Sequence, residues 1–232
     1  MTTKARRSPN SLPETDSLFP SQDCSLCPRL ADFRHQQRAA YPDWFNAPVP
    51  SFGPTDGRLL IVGLAPGLKG ANRTGRPFTG DYAGDLLYAT LLAHGFATGR
   101  YGAAASDGLQ LRDCRITNAV RCLPPQNKPT GPEISACRPF LRNEIAAMPN
   151  LVAVLALGRI AHESVVRMFG ERPAQFAFSH GAQHAIAGVT LIDSYHCSRY
   201  NTQTGRLTEA MFQQVFTEIA ALLHPSKPLL GC

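Results

Sequence analysis

Thiols are the groups in this 232-residue chain best suited to bind a metal. Cys24 and Cys27 form a C-x-x-C pair in CSLCPRL, while Cys122 lies in RCLPP and Cys137 follows in ACRPFL. A zinc ribbon would offer a second close pair, and the gap from Cys122 to Cys137 is too wide for one. An iron–sulfur cubane tolerates such mixed spacing, because its four thiolates can converge from distant segments. On spacing alone a cluster, a zinc site and plain buried thiols all stay open. Cys114 falls in an apolar run and reads as core, and Cys197 and Cys232 have no evident partner. Two further groups could do chemistry. His196 in SYHCSRYN follows an apolar run and opens a polar loop, and Asn118 in ITNAVRC is a polar amide preceded by apolar neighbours at a strand end. Gly63–Gly67 (GLAPG) could bring backbone close to a ligand, but neither a phosphate-binding loop nor a dinucleotide fingerprint is present. By itself it reads as a tight turn.

These groups need elements to position them. Residues 58–64 (RLLIVGL), 114–120, 151–157 and 189–193 are short, continuously apolar runs. Continuous rather than alternating apolarity suits strands covered on both faces, hence a parallel sheet. Helical patterns fall at 84–94, 131–148, 158–169 and 208–223, the last with Thr208 as N-cap. Alternating β and α predicts a three-layer α/β/α domain with right-handed crossovers. Ligands in such folds bind beyond the C-terminal strand ends, which directs attention to the segments after Leu64, Thr117, Leu157 and Asp193.

Hydrophobic residues make up 44% and charged residues 17%, which excludes a disordered chain. The net charge of +6 suits a polyanionic partner without requiring one. No apolar run approaches the roughly 20 residues that span a bilayer, and the polar start, with Lys4, Arg6 and Arg7, lacks a hydrophobic signal core. The expectation is a cytoplasmic protein with one domain over 22–224, a disordered tail over 1–21 and a loose end over 225–232. Reducing conditions there favour metal ligation or burial of thiols over disulfides.

The ordered segments GLAPG, ANRTGRPFTGD, TNAVRC with a second cysteine downstream, ALGRIAHE and YHCSRYNTQTGRLT resemble the uracil-DNA glycosylase superfamily. Within it the match is to the iron–sulfur branch called family 5, found in bacteria and archaea. The resemblance covers residues 24–212. Family 4 also carries the cluster but usually has an acid where this chain has Leu64. Cys197 replaces the proline of the usual His-Pro-Ser motif.

The resemblance implies a central four-stranded parallel sheet between helices and a structural [4Fe–4S] cluster on Cys24, Cys27, Cys122 and Cys137. It implies a DNA-repair glycosylase that removes uracil, and with it hypoxanthine and xanthine, from single- or double-stranded DNA after base flipping. A monomer near the nucleoid of a prokaryote is expected. Phe78 matches the stacking aromatic and Asn118 the reader of the base edge. His196 matches the donor to uracil O2. Leu64 cannot activate water, and the resemblance gives that role to Asp81 in FTGDYAG, where family 5 has its alternative carboxylate, with Asp85 in reserve. Gly63, Ala65, Pro66 and Gly67 are expected to line the pocket. Ser198, Arg199, Tyr200, Asn201 and Arg206 are expected on a loop that enters the minor groove. Arg73, Arg76 and Lys128 are weaker candidates for phosphate contact. A family 4 enzyme and an iron–sulfur electron carrier are the alternatives, and the carrier leaves GLAPG, Asn118 and His196 unexplained.

Overall fold

The computed structural model describes residues 17–225. Its strands in chain order are β1 (Leu59–Gly63), β2 (Ala97–Thr98), β3 (Gln110–Leu111), β4 (Cys114–Asn118), β5 (Ala153–Leu157), β6 (Gln183–Ile186) and β7 (Val189–Ser194). The helices are α1 (Pro28–Ala40), α2 (Ala71–Thr74), α3 (Tyr82–Ala93), α4 (Gly131–Ala146), α5 (Arg159–Met168), α6 (Arg199–Gln203) and α7 (Glu209–Leu223).

Every residue of β1, β4 and β5 is buried; the runs of β1 and β5 are wholly apolar, whereas β4 also buries Arg115, Thr117 and Asn118. The central sheet has the order β4-β1-β5-β7-β6, and its first four strands run parallel. These four are the strands expected from the sequence. The fifth is an addition: β6 pairs antiparallel with β7 at the edge. It is short and partly exposed, so no apolar run announces it. Its two-residue turn, Ala187-Gly188, has positive φ at both positions (47° and 84°), the geometry of a type I′ hairpin.

The sheet divides the core in two. Leu59 and Ile61 face Leu87 and Leu91 of α3 and Phe212, Phe216 and Ile219 of α7. Leu60 and Val62 face Leu141 of α4 and Val165 and Val166 of α5. This is the three-layer arrangement. Thr208 caps α7 by accepting from the Met211 N–H (3.1 Å), as expected.

A third, smaller cluster of Leu30, Val120, Cys122, Cys137 and Phe140 gathers where α1 meets α4. Arg29 of α1 forks onto Glu133 of α4 with two 2.7 Å bonds, tying the starts of the two helices together. Residues 17–21, counted with the tail in the sequence reading, lie against this body. Asn143 donates to the Ser17 carbonyl (2.9 Å), and Arg115 packs over the Phe19 ring. The remainder of the expected tail, and Cys232, lie outside the described residues.

Candidate active site

The pocket begins at the C-terminal ends of β1 and β4, where Gly63 and Asn118 are register partners. Gly63 must be glycine. A Cβ there would overlap Asn118 Oδ1 and stand 2.6 Å from Phe78 Cζ. The missing side chain lets the aromatic ring and the amide meet over the strand end. We expect Gly63→Ala to displace both groups, raising KM and costing about 1–3 kcal/mol of stability as other overpacked sites do. Substrate titration and thermal melting would measure the two effects.

Phe78 is nearly buried and held at φ 51°, a left-handed conformation that is strained for an aromatic residue. Its neighbours enforce it. Tyr88 Oη donates to the Pro77 carbonyl (2.7 Å), and Arg76 Nε donates to Thr79 Oγ1 (2.7 Å). Gly84 passes so close to the Phe78 carbonyl that no side chain could fit there.

Arg76 is therefore a support, which corrects its reading as a phosphate contact. It is 4% exposed and forks onto Asp107 at 2.8 and 2.7 Å. Its guanidinium also lies over the rings of Phe52, Tyr88 and Tyr101. That pairing holds the Asp107 carboxyl well below the usual carboxylate range.

Asp81 is the N-cap of α3. Oδ1 accepts from the Gly84 N–H (3.2 Å), while Oδ2 turns toward Gly67 and Gly70 on the pocket wall. Burial pushes its carboxyl above the ordinary aspartate value, and the cap bond only partly offsets this. Asp85, the reserve candidate, is exposed on the first turn of α3 and stands apart from the cavity lining.

His196 follows β7 by two residues. Its ring lies 5.9 Å from that of Phe78, centroid to centroid, with 29° between the planes. Asn201 Nδ2 donates to the His196 carbonyl (2.8 Å), and Ser198 caps α6 by accepting from the Asn201 N–H (3.4 Å). Gly158 lies beside the histidine, and a Cβ there would sit 3.6 Å from that of His196. The ring opens onto the cavity yet is surrounded by protein, and this burial pushes its pKa down to about 4. It is neutral at physiological pH, with one N–H to give. Cys197, fully buried, donates its S–H to the Ala83 carbonyl (3.4 Å), so it joins the histidine loop to the first turn of α3.

Asn118, Phe78, Asp81 and His196 thus converge on one cavity of about 650 Å³, with Ala65, Pro66 and Gly67 in its wall. Among the described residues, no protein group hydrogen-bonds the Asn118 side-chain amide, which remains available to a ligand. Leu68, Lys69, Tyr82 and Asn127 also line the cavity. Leu68 and Lys69 could have been found, since they directly continue GLAPG. Asn127 gave no signal. It reaches the cavity because Gln126 and Asn127 both adopt left-handed φ (55° and 57°).

The loop residues divide by role. Arg199 lies over Tyr82 at the cavity mouth, with 5.2 Å from its guanidinium carbon to the ring centre. Tyr200 is 71% exposed, and Arg206 lies over Tyr195. Ser198 and Asn201 hold the loop together. Arg73 and Lys128 are exposed and available.

His162 of ALGRIAHE sits behind the wall. Its Nδ1 is 2.7 Å from Asp193 Oδ1 and its Nε2 is 2.8 Å from the Phe176 carbonyl. Both nitrogens face acceptors, so the imidazolium is the form that satisfies them. Burial is the largest single influence and opposes that charge, but the Asp193 bond, the Asp193 charge and the Phe176 carbonyl together outweigh it and raise the pKa. The pair pins the end of β7 three residues before His196.

Cys24, Cys27, Cys122 and Cys137 line one narrow cleft. Burial raises Cys27 to about 11 and Cys122 to about 12. Donors point at two of the sulfurs: the Arg121 N–H at Cys137 Sγ (3.4 Å) and Arg34 Nη1 at Cys122 Sγ (3.6 Å). Cys114 is core, as expected, with its S–H on the Phe96 carbonyl.

Comparison with known proteins gives the family. Residues 50–220 match the family described as the Uracil DNA glycosylase superfamily. A type-5 uracil-DNA glycosylase of Thermus thermophilus is 44% identical over 206 residues, covering 86% of this chain and 93% of that protein. One from Mycobacterium leprae is 43% identical, covering 91% of this chain and 96% of its own length. A type-4 uracil-DNA glycosylase of Pyrobaculum aerophilum is 34% identical over 75% of this chain and 78% of its own. The chain belongs to the uracil DNA glycosylase superfamily, in its type-5 branch.

Proposed function

We propose that this chain hydrolyses the N-glycosidic bond of uracil, and also of hypoxanthine and xanthine, in DNA, leaving an abasic site. The observation that carries this reading is the convergence of Phe78, Asn118, Asp81 and His196 on one cavity. A stacked base cannot reach such a cavity, so the nucleotide must first leave the duplex. Phe78 offers a flat wall to any base. The Asn118 amide carries both donor and acceptor, matching N3–H and O4 of uracil. With no protein partner it can also turn over, which supports the wider base range.

Asp81 Oδ2 orients a water toward C1′ and takes its proton as the oxygen–carbon bond forms. The bond from C1′ to the base nitrogen breaks, and the electron pair leaves with the base. Charge accumulates on O2, where the neutral His196 donates a hydrogen bond that strengthens as the base departs. The proposed partner is DNA of the nucleoid, with the chain acting as a monomer. Among the described residues, no helix is long and apolar enough to cross a membrane.

The substrate range is tested with oligonucleotides carrying a single uracil, hypoxanthine or xanthine. Alkali-labile sites should form from all three and not from the four normal bases. Cleavage confined to uracil contradicts the wider range, and no cleavage contradicts the whole reading.

Tyr200, exposed beside the mouth, suits a wedge that enters the gap left by the flipped nucleotide. Tyr200→Ala should lower rates on duplex DNA several-fold more than on single strands, which need less unstacking. Equal losses on both would argue against the wedge.

Cys24, Cys27, Cys122 and Cys137 would hold the [4Fe–4S] cluster. Two observations support the fit: donors aimed at the sulfurs, and the spread of the thiols. Among the described residues, the group whose ligand atoms all lie within 4.8 Å, as a single ion requires, is His162, His184 and Asp193. A cubane carries each thiolate on a separate iron and so tolerates wider spacing. Bound there, it would cross-link the segment before α1, the loop after β4, and α4. Purified protein should be brown and hold about four irons per chain, with Cys137→Ser losing both colour and thermal stability. A colourless protein with one zinc would contradict this.

A further inference from the structure

Among the described residues, four arginines are buried: Arg34, Arg76, Arg115 and Arg121. Three have a carboxylate. Arg76 pairs with Asp107, and Arg115 and Arg121 share Glu144. Arg34 is 4% exposed and makes no ion pair among the described residues. Its Nη2 donates to the Cys24 carbonyl (2.9 Å), and its Nη1 points at Cys122 Sγ (3.6 Å). Its Nε is buried with no partner. Asp23, an acid that feels its charge, is exposed and bonded to Arg38 instead. A buried cation without an anion is unfavourable, so an anionic group belongs beside it. The atoms in reach belong to two of the four cysteine residues.

We propose that Arg34 is the counter-cation of the metal cluster held by the four cysteines, and that it sets the cluster's reduction potential. This rests on the cluster reading above. A [4Fe–4S] core of charge 2+ with four thiolates is a dianion, and one-electron reduction makes it a trianion. A fixed guanidinium stabilises the trianion more than the dianion, so it raises the potential. The Cys122 contact places that charge at a ligand sulfur rather than at the cluster's outer surface.

The test uses the full-length, cluster-loaded protein, reduced stepwise with dithionite, which supplies the electron. The potential is followed by the loss of visible absorption and by the electron spin resonance signal of the reduced cluster. Arg34→Gln should take up the electron at a more negative potential than the wild type and lose iron several-fold faster in air. Arg34→Lys keeps the charge without the fork, so its potential should stay near that of the wild type. If Arg34→Gln cannot retain iron while Arg34→Lys can, the charge is still what matters. Wild-type potential and iron retention in Arg34→Gln would overturn the proposal. So would equal failure of both variants, which would assign Arg34 to holding the Cys24 carbonyl instead. Wild-type protein that contains no iron would overturn the cluster reading itself, a result separable from the other two.

Discussion

Asp81→Asn should bind uracil-containing DNA with nearly native affinity and lose about 10²–10⁴ in single-turnover rate, the range of a positioned general base. The separation follows from the two oxygens. Oδ1 caps α3, a task asparagine performs equally well, so the helix and the Phe78 loop should survive. Oδ2 faces the cavity, and only there does the negative charge matter. Because burial raises the Asp81 pKa, the folded state holds this carboxylate charged at a cost. Replacing it should leave thermal stability unchanged or slightly raised. The wild-type rate should fall as pH drops through the raised pKa, since the protonated acid cannot accept from water, and the residual rate of Asp81→Asn should lack that limb. If Asp85→Asn rather than Asp81→Asn lost activity, the assignment would be wrong.

His196→Ala should lose about 10²–10³ in rate, as removal of one preorganised oxyanion donor typically does. His196→Gln, which keeps an N–H, should lose less. The histidine sits where burial holds its pKa down to about 4, so the proposed donor is a neutral ring. No inflection is therefore expected near 6.5, where an ordinary imidazole titrates. The cleanest place to look is Asp81→Asn, whose residual rate is free of the carboxylate. An inflection near 6.5 that disappears on replacing His196 would show a titrating histidine and contradict the neutral-donor role.

The parts of the molecule legible in the sequence are those where one physical demand dominates. β1 and β5 are covered on both faces, and their continuous apolar runs say so; β4 and β7 carry the same signal interrupted by Arg115, Thr117, Asn118 and Asp193. α1 was missed because its buried positions include Arg34 and Gln37. These are polar residues buried for what they bond to, so the helix lacks the apolar stripe that marks a packed helix. β6 was missed because an edge strand with exposed positions needs no apolar run, and Ala187-Gly188 is a poor sequence signal for its turn.

At the site, Gly63, Asn118 and His196 stood out because they stand at or just beyond strand ends, whereas Phe78 was picked out only by the resemblance. Arg76 was misread for the opposite reason. In GRPFTG it looks like a surface cation, and its partner Asp107 lies 31 residues away, a distance the sequence gives no means to bridge. Ser198 and Asn201, expected as DNA contacts, also make bonds within their own loop, and Ser198 lines the cavity. The cysteine spacing alone left cluster, zinc and core open, and only the resemblance narrowed it.

The central claim is that this cavity releases a base by hydrolysis while leaving the strand whole. The direct measurement is free uracil, quantified by mass spectrometry from a single-stranded oligonucleotide with one uracil, alongside the count of alkali-labile sites. The account predicts one uracil released for each abasic site with wild-type protein, and a near-complete loss of both with Asp81→Asn combined with His196→Ala. Strand cleavage without free uracil, or uracil release undiminished in the double variant, would contradict it.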